Sequence, residues 1–125
     1  MKALKIDPFK EKITELELGP SGGNLKTYQD LVGGMIASVY IPADAIVYVN
    51  DEGLYAEGQR FFLIHGLHQP LAGVGVVIGS DGEGDADCPI SLSKMESAVV
   101  WGNAGLLMSM APLFHDTEIW DSVSS

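Results

Sequence analysis

The stretch "GSDGEGDADC", from Gly79 to Cys88, carries acids at every second position: Asp81, Glu83, Asp85 and Asp87. Carboxylates at that spacing could hold a hard cation, do acid–base work, or face water. A calcium loop of the EF-hand type needs acids or amides at positions 1, 3 and 5, glycine at 6 and a bidentate glutamate at 12. Counted from Asp81, the sixth residue is Ala86 and the twelfth is Leu92, so the turn glycine and the bidentate ligand are both missing. Gly82 and Gly84 interrupt the run and favour irregular backbone. The expectation is a mobile, solvated loop in which neutralising each acid changes stability by no more than about 0.5 kcal/mol.

"HGLHQ" places His65 and His68 three residues apart, a spacing that puts two imidazoles on one face of a helix. Gly66 and Pro70 argue against a helix there, and only Cys88 and His115 remain to complete a zinc set. Cys88 sits among acids, which raise a thiol pKa and make a poor nucleophile. The chain has no G-x-S-x-G elbow, and "GPSGGN" lacks the lysine of a phosphate-binding loop. No catalytic residue, metal or cofactor is therefore expected. A metal-dependent enzyme built on His65, His68 and the acidic loop is the least favoured reading.

What elements must position these residues? The chain has 125 residues and is 46% apolar, enough for a single domain spanning 1–125 with its own core. One cysteine excludes an internal disulfide and suits a cytoplasmic setting. "MKALKIDPFKEK" has lysines but no apolar run, so no secretion signal is expected, and "LAGVGVVIG" is too short to cross a bilayer, which takes roughly 20 residues. The net charge is -10, and from residue 27 onward only Arg60 and Lys94 oppose thirteen acids. Such a field repels phosphates, so direct binding to nucleic acid is not expected and a basic partner is favoured.

"ALKIDP" and "KITELELG" alternate apolar and polar residues and read as a hairpin over residues 1–18, with "PFKE" at the turn. Asn24 offers an N-cap for the helix "LKTYQDLVGG", stopped by Gly33 and Gly34. "MIASVYIP" and "AIVYVN" read as strands, "LYAEGQR" as an irregular or helical piece, and "FFLI" as a buried strand or a helix end. "AGVGVVIGSD" is a glycine-bearing strand. After Pro89, Ser91 or Ser93 can start a helix, "SLSKMESAVVWG", with Glu96 at capping-box spacing from Ser93, although "SAVVW" alone would suit a strand. "AGLLMSMAPLF" is apolar, and residues 116–125 form a loose tail. The fold class expected is α+β: one small domain, mainly antiparallel sheet, with one or two packed helices.

"LVGGMIASVYIPADAIVYVNDEGLYAEG" and "QPLAGVGVVIGSDGEG" resemble a family of small phage, prophage and plasmid proteins, described as domain of unknown function 3846. The resemblance covers residues 25–84 and rests on Leu31 to Gly34, Asn50 to Gly53 and Gly73 to Gly79. It implies a small α+β accessory protein of mobile elements and brings no catalytic residue. The leading expectation is a non-enzymatic protein that binds a host protein with a basic surface, as an inhibitor or nucleic-acid mimic. Asp81, Glu83, Asp85 and Asp87, with Trp101, Phe114 and Trp120, are the candidate contacts, and the same apolar residues could instead form a homo-oligomer. The alternative is a protein that sequesters a small molecule or nucleotide, its pocket lined by the glycine strand and by Asn50, Asp51, Glu52, Arg60, His65 and His68.

Overall fold

The computed structural model describes residues 1–19, 24–53, 57–80, 84–113 and 120. Leu54 to Ala56 of the expected irregular piece, and the tail apart from Trp120, lie outside the described residues.

Strand β1 (Lys2–Asp7) and strand β2 (Lys12–Glu17) form an antiparallel hairpin in register Asp7 to Lys12. The Asp7 carboxylate accepts the N–H groups of Phe9 and Lys10 and closes the turn. Helix α1 (Leu25–Val32) starts where the Asn24 side chain accepts the Thr27 N–H at 2.9 Å, and ends at Gly33, whose φ of 85° suits glycine. Strand β3 (Ile36–Ile41) and strand β4 (Ala45–Asn50) form a second hairpin. Its three-residue loop ends on Asp44, which adopts a left-handed φ of 56°.

The chain then leaves this sheet. Strand β5 (Phe61–Ile64) pairs with the two-residue strand β6 (Leu71–Ala72), and strand β7 (Gly75–Ser80) returns to the first sheet between β1 and β4. A short strand β8 (Asp85–Ala86) pairs with the end of β7. Helix α2 (Leu92–Ala98) runs directly into strand β9 (Val99–Gly102), which pairs with β5. Helix α3 (Ala104–Met110) and a 3-10 turn (Ala111–Leu113) follow.

The large sheet has the order β2-β1-β7-β4-β3, with β8 on β7, and the small one has the order β6-β5-β9. Every pairing among the described residues is antiparallel. The protein is thus α+β, with three short helices among the described residues where one or two were expected. Period-two alternation sorts the large sheet's side chains between two cores. Leu4, Ile6, Val47, Val49 and Val77 face the small sheet, α2 and α3. Ala3, Ile46, Val76 and Ile78 face α1, which buries Tyr28 and Val32 on them. The two sheets meet at Phe62, fully buried, against Gly75. A Cβ on Gly75 would stand 2.8 Å from Phe62 Cζ and 3.1 Å from Val47 Cγ2, so the missing side chain is what lets the layers close.

Of the two serines that could start α2, the structure uses the first. The N-cap of α2 is Ser91, whose hydroxyl accepts the Lys94 N–H at 3.1 Å, and Ser93 lies inside the helix. Ser91 is exposed and extended at φ -70°, and Ile90 before it is fully buried.

Candidate functional site

Asp81 and Glu83 lie outside the described residues. Asp85 and Asp87 do not match the mobile loop expected of them. β8 pairs Asp85 with Ser80, and the Asp85 carboxylate accepts hydrogen bonds from Tyr28 Oη at 2.8 Å and Tyr48 Oη at 3.3 Å. The two tyrosine rings lie 4.6 Å apart, tilted by 42°. Asp87 Oδ1 accepts the Lys2 N–H at 2.8 Å, and the Cys88 N–H donates to Lys2 O at 2.9 Å. The second half of the stretch is therefore tied to α1, β4 and the start of β1. Two phenol donors and a backbone donor hold these carboxylates as structural acceptors.

Asp85→Ala removes an acceptor shared by two tyrosines and should destabilise the protein by about 1 kcal/mol, measured by urea unfolding. That exceeds the surface-site change expected from the sequence. The Tyr48 hydroxyl has its pKa raised, first by burial and then by the Asp85 charge. A raised phenol pKa favours the neutral form in the folded state. Its contribution is complete below the ordinary value of about 10 and is lost as pH rises through the folded value. Alkaline loss of stability should accordingly be shallower in Tyr48→Phe than in the parent.

Cys88 is buried, its thiol directed to Ile90 O at 3.6 Å, and burial pushes its pKa up. The direction is the one read from the sequence, but the cause is desolvation and not the neighbouring acids. Among the described residues no group of three or more His, Cys, Asp or Glu is placed to hold a metal ion. His65 continues the β5–β9 ladder through its N–H to Ala98 O, while His68 lies exposed in the turn beyond.

Of the six residues proposed for a ligand pocket, Asn50 and Asp51 line a groove of about 250 Å³ and the others do not. Arg60 and His65 flank opposite ends of β5, ~16 Å of extended chain apart. Nor does the glycine strand open a cavity. Phe62 covers Gly75, and a Cβ on Gly79 would lie 2.2 Å from Asp87 O. The Asn50 amide is engaged: it donates to Val32 O at 3.4 Å and accepts the Glu52 N–H at 2.9 Å. Gly34 packs on it so closely that a Cβ there would meet Asn50 Nδ2 at 2.8 Å. "LVGG" and "NDEG" are thus two halves of one joint between α1 and β4.

Trp120 is 1% exposed, and its Nε1 donates to His65 O at 2.6 Å. It belongs to the core and is not a surface contact. Trp101 is half-buried and borders a cleft with Lys12, Leu92 and Glu96. Phe114 lies outside the described residues.

The sequence reading missed the edge of the large sheet. Among the described residues β3 is paired only with β4. Asp51 N–H bonds Met35 O at 2.7 Å, and Ser80 N–H bonds Asp44 O at 3.3 Å. With the register Ala37 to Val49 and Val39 to Val47, odd-numbered residues of β3 bond to β4. The backbone groups of Ile36, Ser38 and Tyr40 point outward. The opposite edge, β2, carries Lys12, Glu15 and Glu17, whereas β3 carries no charge. Tyr40 on it is 73% exposed. The groove lies on the inner face of this edge, where Ala37 and Val39 meet Met108 of α3. The sequence does not single this edge out: "MIASVYIP" is uncharged, but so is the longer run from Phe61 to Ser80, which holds β5, β6 and β7.

No described helix is long and apolar enough to cross a membrane. A family model described as "Domain of unknown function (DUF3846)" matches residues 1–102 of the chain. No curated protein matches it, and no solved structure does.

Proposed function

The chain therefore belongs to the DUF3846 family, and from that premise we propose that it is a non-enzymatic accessory protein of mobile elements that binds a basic protein of the host cell. The observation that carries the reading is an uncharged sheet edge, beside an apolar groove, on a chain of net charge -10. The acidic field attracts a basic partner over distance, and the apolar strip supplies the short-range contact. Edge strands left uncharged invite pairing with another chain, and proteins ordinarily blunt them with charge, as β2 is blunted here.

A small polar ligand is less well served. A pocket for one needs convergent polar groups, and the Asn50 amide at the groove is already bound to Val32 and Glu52. The test is to immobilise the protein, capture from host lysate, purify the retained component and rebuild the complex. The reading expects a basic protein whose association rate falls several-fold as added salt shortens the screening length below ~8 Å. Retention of a metabolite alone, or an association rate indifferent to salt, contradicts it.

A further inference from the structure

We infer that β3 is a docking edge for an extended segment of the partner, rich in β-branched or aromatic residues and flanked by Lys or Arg. The inference rests on the protein-binding reading above and names its site. Three observations converge. The outward N–H and C=O groups of Ile36, Ser38 and Tyr40 form a ready ladder for one more strand. The groove of about 250 Å³ lies on the face where alternate side chains of an added strand would fall, between Val39 and Met108. Acids bracket the edge: Asp51 is bonded to Met35 at its start and the exposed Glu52 stands beside it, while Asp44 follows its end.

Charge decides among occupants. A second copy paired antiparallel through β3 would bring Asp44 of one chain to Asp51 and Glu52 of the other, between bodies that each carry -10. Like charges so placed oppose pairing. A segment with a basic residue at each end meets opposite charge at both.

The probe is a library of random twelve-residue peptides displayed and selected on the intact protein. The best peptide is then synthesised and measured by fluorescence anisotropy. The selected sequences should carry β-branched or aromatic cores with Lys or Arg at the ends. Ser38→Pro deletes an outward N–H without touching the β3–β4 bonds, and should weaken binding about tenfold. Glu15→Pro makes the equivalent change on the β2 edge, and should leave binding unaltered. Should Ser38→Pro fail to fold, amide spectra of the parent replace it, with binding expected to shift and protect Ile36, Ser38 and Tyr40.

Selection of peptides without basic ends overturns the inference, as does failure to select any. So does a peptide indifferent to Ser38→Pro with unshifted β3 amides, although the protein-binding reading would survive that result. A parent that sediments as a dimer and becomes monomeric on Ser38→Pro makes a second copy the occupant, and also overturns it.

Discussion

Trp120→Ala should destabilise the protein by about 3–5 kcal/mol, the range for truncating a large buried aromatic. The indole is almost fully enclosed at 1% exposure. It lies over the turn after β5, where a Cβ added to Gly66 would meet its Nε1 at 3.1 Å and Pro42 Cγ at 3.6 Å. Its N–H donates to His65 O at 2.6 Å, which satisfies a carbonyl at the end of the small sheet. Truncation leaves a cavity and removes the indole donor from His65 O. Trp120→Phe keeps most of the volume and loses only the donor, so it should cost about 1 kcal/mol. Urea unfolding of the three proteins measures the series. Equal stability of Trp120→Ala and the parent would mean that the indole does not close the core.

The second large effect lies where the two sheets meet. Phe62→Ala should also cost about 3–5 kcal/mol, because the ring is fully buried between the layers. Gly75→Ala should cost about 1–3 kcal/mol by overpacking, since its methyl would fall 2.8 Å from Phe62 Cζ. The two changes act on one gap, so they should not add. In the double variant the alanine methyl enters space the ring has vacated, and the combined loss should be smaller than the sum of the single losses by about 1 kcal/mol or more. Additive losses would show that ring and glycine do not share the contact.

Much of the fold is legible because local pattern and burial agree. In "KITELE" the exposed Glu15 and Glu17 flank Leu16, which packs on the α1 core, while Ile13 enters the other core, and Asn24 and Gly33 stand as the two ends of α1. "AIVYVN" reads as a strand because Val47 and Val49 enter one core and Ile46 the other. The small sheet is harder. "SAVVWG" passes from α2 to β9 with no glycine or proline between Ala98 and Val99, so periodicity sees one apolar run. "FFLI" is undecidable by itself because Phe62, Leu63 and Ile64 are all buried, which erases alternation.

The roles of the chemistry-bearing residues depend on contacts distant in sequence. Asp85 is one of four acids in its stretch until Tyr28 and Tyr48, 57 and 37 residues away, reach its carboxylate. Trp120 stands beside Ile119 in an otherwise mostly polar tail, and nothing local says that it is buried 55 residues from its hydrogen-bond partner. Residue types showed which groups could do chemistry. They could not show that Asp85, Asp87 and Trp120 are engaged in holding the fold together, nor that β3 forms an edge of the sheet among the described residues.

The most direct measurement is residue-resolved amide hydrogen exchange along β3 in the free protein. Ala37, Val39 and Ile41, bonded to β4, should exchange slowly, and Ile36, Ser38 and Tyr40, facing outward, should exchange fast. That alternation is the signature of an open edge ready for another strand. Uniform protection of all six amides would mean that the edge is already covered, and would contradict the account of how this protein meets its partner.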